Sequence, residues 1–460
     1  MPDILLAAIN AKWIHPSLAL RLLKANLGPL ENRCGIIEFA LRQPLHEKTG
    51  PILAARPRIL GLSVSIWNHL ATLELLKKLQ EAWGDVPRPV IILGGPEVSY
   101  LPRESEICTF ADFCIRGEGE IAFRELCEKI LNENDVSVNH DFYKVNVAEI
   151  NSGYRLYTDE DVNRKLIYVE ASRGCPFGCE FCLSSNDTNM REFPLEPFFP
   201  EMEDLIHRGA KTFKFLDRTF NLNIERARKI MEFFLYNINE QIKQKKKPLV
   251  VHFEMVPSRF PPELIDTLAL FPPDTLRLEI GIQTLNSEVS ARIGRPSKPE
   301  QELETLKSLA EKTNAIIHAD LIAGLPAEGM EVFGKGFDSL WAALASGSNG
   351  SRVEIQLGIL KLLPGAPIAR HIEAFGMVFN PLPPYELIET ADIPAASLDR
   401  IKNFARFWEL TVNRGLLDIG PSPVFDRFMA LSDSLLARFG RNWGIDKNEL
   451  LHTIKLGIRN

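Results

Sequence analysis

Three cysteines, Cys175, Cys179 and Cys182, stand in the run RGCPFGCEFC at residues 173–182, with three and then two residues between them. Thiolates are soft donors that suit iron–sulfur clusters or zinc. A structural zinc site wants a fourth cysteine or histidine at short, paired spacing. After Cys182 the next histidine is His207, alone, and no later cysteine exists. Ferredoxin spacings differ and carry a fourth cysteine. The ligand set is therefore one short. An open coordination position is what a catalytic metal needs and a structural one avoids.

The elements that must hold this loop read as alternating β/α units. From residue 166, strands are predicted at 166–172, 212–217, 249–256, 275–283, 316–322 and 353–360, with helical stretches such as IERARKIMEFFLYNI between them. Six units rather than eight predict a partial barrel, and parallel barrels do their chemistry at the carboxyl ends of the strands. Cys175 comes three residues after the first of these strands, where an active-site loop belongs. Upstream, strands at 4–9, 35–40, 59–66, 90–95 and 111–115 alternate with helices. They predict a doubly wound, parallel five-stranded α/β domain over 1–135, whose ligands belong past the strands' carboxyl ends. Residues 136–165 read as a polar linker and 166–367 as the barrel. Residues 368–460 read as a mostly helical region that packs on the barrel mouth or carries substrate contacts. The short basic run IKQKKKP (242–248) reads as a solvated turn.

CPFGCEFC, with the aromatic Phe181 just before the last cysteine, resembles the cluster loop of the radical S-adenosylmethionine (SAM) enzymes. The resemblance implies a [4Fe-4S] cluster held by Cys175, Cys179 and Cys182, with SAM chelating the fourth iron. It also implies one-electron cleavage of SAM to methionine and a 5′-deoxyadenosyl radical. Later segments resemble the same family in order along the barrel. FLDRTFN (215–221) places Asp217 and Asn221 where relatives hold the SAM amino group, though both residue types also favour helix starts. Glu254 of HFEMVPSR (252–259) shares a strand face with Val250 and His252. A buried charge there needs a partner, which points to a ribose or substrate contact. EIGIQTLN (279–286) puts Glu279, Gly281 and Gln283 on one face and resembles the coproporphyrinogen-oxidase-like branch, which implies SAM binding. HADLIAGLP (318–326) adds Asp320 and the Gly324 turn, and LKLLPGAP (360–367) ends the sixth strand, where backbone groups of relatives meet adenine.

The first domain's strand ends carry SVSIWN (63–68), LGGPEVS (93–99) and IRGEGEIAF (115–123). Their glycines let a ligand approach the backbone closely. No G-x-G-x-x-G follows the first strand, which disfavours a dinucleotide. These segments resemble the cobalamin-binding domain that precedes many radical SAM barrels. The resemblance implies cofactor contacts from Ser65, Trp67, Gly94, Gly95, Glu97, Gly117, Glu118 and Gly119. Cobalamin domains that ligate cobalt through histidine use Asp-x-His-x-x-Gly, which NAKWIHPSLAL lacks. His15 is therefore expected at a helix start or in the core, with cobalt's lower face covered by water or an apolar side chain. Cys34, Cys108, Cys114 and Cys127 are expected as small hydrophobes. Their spacing does not resemble the second-cluster pattern of methylthiotransferases.

A formal net charge of −7 argues against a broad nucleic-acid footprint. No run of about 18 apolar residues appears, so no transmembrane helix is expected. Asp3 lies where a signal peptide would be basic, so a cytoplasmic protein with reduced thiols is expected. With the resemblance, the expected function is a cobalamin-dependent radical SAM methyltransferase acting on an unactivated carbon of a small metabolite or peptide. Its electrons would come from a donor such as flavodoxin or ferredoxin. Two other readings stay open: ring closure or rearrangement with the same cofactors and no net methyl transfer, and a non-catalytic cofactor-binding sensor. If both cofactors serve one reaction, the glycine-rich edge must face the barrel mouth.

Overall fold

The computed structural model describes residues 1–84, 87–132, 142–345 and 352–457. Strands β1 (Ile4–Asn10), β2 (Cys34–Ala40), β3 (Ile59–Ser63), β4 (Val90–Gly94) and β5 (Phe113–Cys114) form a parallel sheet in the order β2-β1-β3-β4-β5. Between them run α1 (Leu18–Ala25), α2 (Leu45–Ala55), α3 (His69–Trp83), α4 (Pro96–Tyr100) and α5 (Glu106–Thr109), and α6 (Glu120–Asn132) follows. Successive side chains of a strand face opposite ways. Leu5, Ala7 and Ile9 accordingly pack with Leu75, Leu76 and Leu79 of α3, while Ile4, Leu6 and Ala8 pack with Leu20 of α1 and Phe123 of α6. Both faces of β1 are buried, which is why its sequence is a continuous apolar run.

The expected linker begins at residues 136–141, which lie outside the described residues. The remainder holds β7 (Phe142–Tyr143), which pairs with β6 (Arg116–Gly117), and α7 (Asp159–Arg164), closed by a Thr158–Asp161 capping box. The barrel follows with β8 (Ile167–Val169), β11 (Thr212–Phe215), β12 (Val250–Met255), β13 (Leu276–Gln283), β14 (Ile316–Ala323) and β15 (Val353–Ile359). A short ribbon, β9 (Ser172–Arg173) with β10 (Arg191–Glu192), frames the cysteine loop. The six parallel strands run β15-β14-β13-β12-β11-β8, so β8 and β15 are free edges and the barrel is open. Helices α8 (Leu195–His207), α9 (Ile224–Lys243), α10 (Pro262–Ala269), α11 (Ser287–Arg292), α12 (Pro299–Lys312) and α13 (Met330–Ala345) cover its outside. Val251, Phe253 and Met255 of β12 are buried in that outer core, and the alternate residues His252 and Glu254 face the lumen.

At the start of the region expected to be mostly helical, residues 368–394 form a 3₁₀ turn (Pro367–His371) and the ribbon of β16 (Val378–Phe379) with β17 (Leu387–Glu389). The run NPLPPYE (380–386) explains this, since proline removes helix hydrogen bonds. Helices α14 (Ala395–Thr411), α15 (Phe425–Phe439) and α16 (Lys447–Gly457) then share one continuous core with the barrel. Phe404 and Trp408 of α14 pack on Phe337 of α13 at 5.1 and 4.8 Å between ring centroids. The Asn413 amide bonds both Ile355 N and O, so it satisfies part of the β15 edge as a neighbouring strand would. No helix among the described residues is long and apolar enough to cross a membrane.

Candidate active site

The cysteine loop folds back on itself. Gly174 has φ +93°, and a Cβ there would strike Asn189 O, so only glycine allows the turn. Cys175 N donates to Asp187 O at 3.0 Å and Cys182 N to Cys179 O at 3.0 Å. All three cysteines line one cavity of about 160 Å³ at the carboxyl ends of the barrel strands. Cys175 Sγ lies 3.5 Å from Thr219 Oγ1, and Arg295 Nη1 stands 4.0 Å from Cys179 Sγ. Burial pushes the Cys179 thiol up, and Arg295 opposes it.

Glu180, between the second and third cysteines, anchors the loop. Its N donates to Ile293 O at 3.0 Å and its O accepts from Ile368 N at 2.9 Å. Its buried carboxylate lies 2.8 Å from His371 Nε2 and accepts both Arg370 Nε, at 3.0 Å, and Arg370 Nη2. The loop is thus held to the turn that ends the sixth strand.

Glu254, Glu279, Gly281, Gln283 and Asp320 line the same cavity. Burial alone would raise the Glu279 carboxyl, but His252 and Lys214, each at 3.1 Å, hold it at about 2. Glu254 is pushed up by burial and has Arg218 Nη1 at 3.4 Å as its ion-pair partner. Asp320 is pushed up to about 8, first by burial and then by Glu279 and Glu254. Neither its carboxylate nor the Gln283 amide has a hydrogen-bond partner among the described residues. Gln283 has φ +71° beside an irregularity in the β13–β14 register, and a Cβ on Gly281 would strike its amide. Strain of this kind concentrates at ligand clamps.

The first domain faces the barrel across a second cavity of about 840 Å³. Ser65, Trp67, Gly94, Gly95, Glu97, Gly117, Glu118 and Gly119 all line it. A Cβ at Gly94 would meet only Ile115 O at 3.8 Å, so the cavity wall there is bare backbone. At Gly95 and Gly117 a Cβ would strike the backbone oxygens of Val64 and Tyr143, so those two serve the fold. Two of the carboxylates are already engaged. Glu97 bonds His69 Nδ1 at 2.9 Å and the Tyr385 hydroxyl at 2.5 Å, and Glu118 accepts from Arg191 Nη1 at 2.7 Å. With Arg173, which bonds Glu120 at 2.6 Å and Glu170 at 2.7 Å, these pairs dock the sheet to the barrel.

Asp217 and Asn221 do not line the cluster cavity. Asp217 accepts from Ala171 N and Ser172 Oγ, and burial pushes it up to about 7. Asn221 bonds Val256 N and O and Arg259 O. Both tie strand ends together. His15 lines neither cavity; its Nδ1 lies 2.8 Å from the Tyr168 hydroxyl on β8. All seven cysteines are free thiols, and Cys34 and Cys127 are buried in the first domain's core. The sequence reading omitted Arg218, Arg295 and Ser184. Phe181, Cys182, Ser184 and Arg218 border both cavities.

No three histidine, cysteine or acidic side chains among the described residues stand close enough to share one metal ion. Cys175, Cys179 and Cys182 line one cavity, a soft donor set that suits an iron–sulfur cluster with one position left for another ligand. The unpartnered Asp320 and Gln283 offer polar contacts for a second guest in that cavity. The bare glycine wall and the 840 Å³ volume, near the upper end of the roughly 300–1,000 Å³ usual for ligand pockets, suit a large cofactor on the other side.

The family model of the radical SAM superfamily matches residues 169–336, and that of the B12 binding domain matches residues 4–127. The cobalamin-dependent radical SAM methyltransferase TokK of Streptomyces tokunonensis is 24% identical over 379 residues, covering 73% of this chain and 51% of TokK. The chain thus spans about half the length of that relative. In fold it is similar to the cobalamin-dependent SAM radical enzyme OxsB with aqua-cobalamin bound. There the TM-score is 0.68 at 17% identity, over 99% of this chain and 75% of that one. The radical SAM methyltransferase TsrM from Kitasatospora setae, with cobalamin and a [4Fe-4S] cluster bound, gives 0.59 at 17% identity over 83% and 78%. Residues 169–336 thus match a radical SAM domain and residues 4–127 a B12 binding domain, a pairing for which a [4Fe-4S] cluster, SAM and cobalamin are the corresponding cofactors.

Proposed function

We propose that the protein is a cobalamin-dependent radical SAM methyltransferase acting on an unactivated carbon of a small metabolite or peptide. The observation that carries this reading is the shared wall of Phe181, Cys182, Ser184 and Arg218, which sets the cluster cavity beside the glycine-lined one. Cys175, Cys179 and Cys182 would hold the cluster, Glu254, Gln283 and Asp320 would contact SAM, and Ser65, Trp67 and Gly94 would bound the corrin. When bound, these groups supply a 5′-deoxyadenosyl radical and a transferable methyl group. The chain's own share is to position and to exclude water. The buried Arg173 pairs keep the two cavities in register. The methyltransferase name of TokK supports methyl transfer as the outcome.

The test is an anaerobic assay of reconstituted, cobalamin-loaded protein with SAM and a low-potential reductant. Methyl transfer predicts S-adenosylhomocysteine together with 5′-deoxyadenosine. The deoxyadenosine alone would move the reading to ring rearrangement, and neither product would favour a sensor.

A further inference from the structure

A third cavity, of about 600 Å³, lies along the free edge of the barrel. One wall is Leu357, Gly358 and Ile359 of β15 with Ile322 of β14. The other is the face of α14 that carries Lys402, Ala405, Arg406 and Glu409. Phe181 lines this groove, the cluster cavity and the glycine-lined cavity alike. A carbon approached from both cofactor sides must lie at that junction. The groove is where the rest of such a molecule can extend.

The groove's charges are not balanced. Glu386 lies 3.9 Å from Lys402, and Glu409 pairs with Arg414 at 3.3 Å and accepts from Asn413 Nδ2 at 3.2 Å. Lys361 has no ion-pair partner among the described residues, and Arg406 has only Asn442 O, through Nε at 3.2 Å. Both cations are partly buried. A partly buried cation without a counter-ion is costly unless a ligand supplies one, and a guanidinium fork suits carboxylate or phosphate. Gly358 adds a second sign. A Cβ there would meet only Leu321 O at 3.7 Å, so the backbone does not require glycine, yet the groove is left open at that point.

Resting on the radical SAM reading above, we propose that this groove binds the substrate and selects an amphiphilic anion. Its apolar body lies along β15, its carboxylate or phosphate end sits between Lys361 and Arg406, and its reacting carbon reaches Phe181.

The test is calorimetric binding to anaerobically reconstituted holoenzyme with three matched probes: phenylbutyrate, phenylbutyl phosphate and the neutral phenylbutanol. At least one anion should bind tenfold or more tightly than the alcohol, and the stronger of the two identifies the headgroup. Lys361→Met and Arg406→Met should each weaken the anions about tenfold and the alcohol little. Gly358→Leu should weaken all three. Lys229→Met, an exposed lysine on α9 paired with Glu225, should change nothing. Equal affinity for alcohol and anions, or anion binding indifferent to both cation variants, would overturn the proposal. Iron content and thermal midpoints check that each variant is folded, and the two cation variants stand even if the glycine variant is not. SAM cleavage by the parent is followed in the same preparations. Cleavage without anion preference sinks the groove alone; anion preference without cleavage sinks the functional reading alone.

Discussion

Replacing Asp320 by asparagine tests whether the barrel lumen holds a desolvated carboxyl. The Asp320 carboxyl is pushed up to about 8 by burial, then by Glu279 and Glu254, against the opposing charge of Lys214. A carboxyl raised in the folded state keeps its proton longer there than in the unfolded chain. Its full stability is present below the unfolded value and is lost as pH rises toward about 8. Each pH unit inside that window is worth at most about 1.4 kcal/mol. Asp320 keeps some solvent contact, so about half of this is expected, or about 1–2 kcal/mol between about pH 5.5 and about pH 7.5. The assay is urea unfolding of cluster-free protein at both pH values, parent against Asp320→Asn. The parent should lose that much more stability than the variant on going to the higher pH. In loaded protein the same change should weaken SAM binding roughly tenfold, about 1.4 kcal/mol. Parallel pH profiles for the two proteins would refute the argument, because they would mean that the carboxyl is not desolvated.

Gly94→Val should cost the fold little, since its nearest obstacle is Ile115 O at 3.8 Å, but should fill the bare wall. Corrinoid bound per chain, read by visible absorption, should fall while iron content holds. His371→Ala leaves the buried Glu180 with Arg370, whose side chain is 64% exposed, as its remaining ionic partner. The variant should be destabilised by about 1–3 kcal/mol and should lose iron to a chelator faster; unchanged loss rates would remove Glu180 as the anchor of the loop. Gly281→Ala should displace the Gln283 amide and raise the SAM dissociation constant about tenfold, measured by equilibrium binding.

Much of this site was legible because strands alternate with period two. That rule alone put Glu279, Gly281 and Gln283 on one face, and all three line the cluster cavity. Glycines at strand ends likewise marked the edge that faces the barrel. What a sequence cannot show is which polar residue is already engaged. Glu97 bonds Tyr385, 288 positions away, and Glu118 meets Arg191, 73 away. Asp217 and Asn221 bond backbone groups at the ends of neighbouring strands, neither capping a helix nor lining the cluster cavity. Arg218 stood inside a quoted motif, FLDRTFN, and its role appears only once two cavities are seen to meet beside it. The polar groups of the lumen mislead in the other direction: Glu279 looks like a free ligand, yet Lys214 and His252 hold it.

The most direct test of the account is the stoichiometry of protein purified without oxygen and reconstituted with iron, sulfide and cobalamin. The three-thiol loop beside a glycine-walled cavity predicts about four iron and four sulfide ions and one corrinoid per chain. Addition of SAM should perturb the cluster's spectrum through its one corner without a protein ligand. A triple Cys175→Ala, Cys179→Ala, Cys182→Ala protein that retained the cluster, or a parent cluster indifferent to SAM, would contradict it.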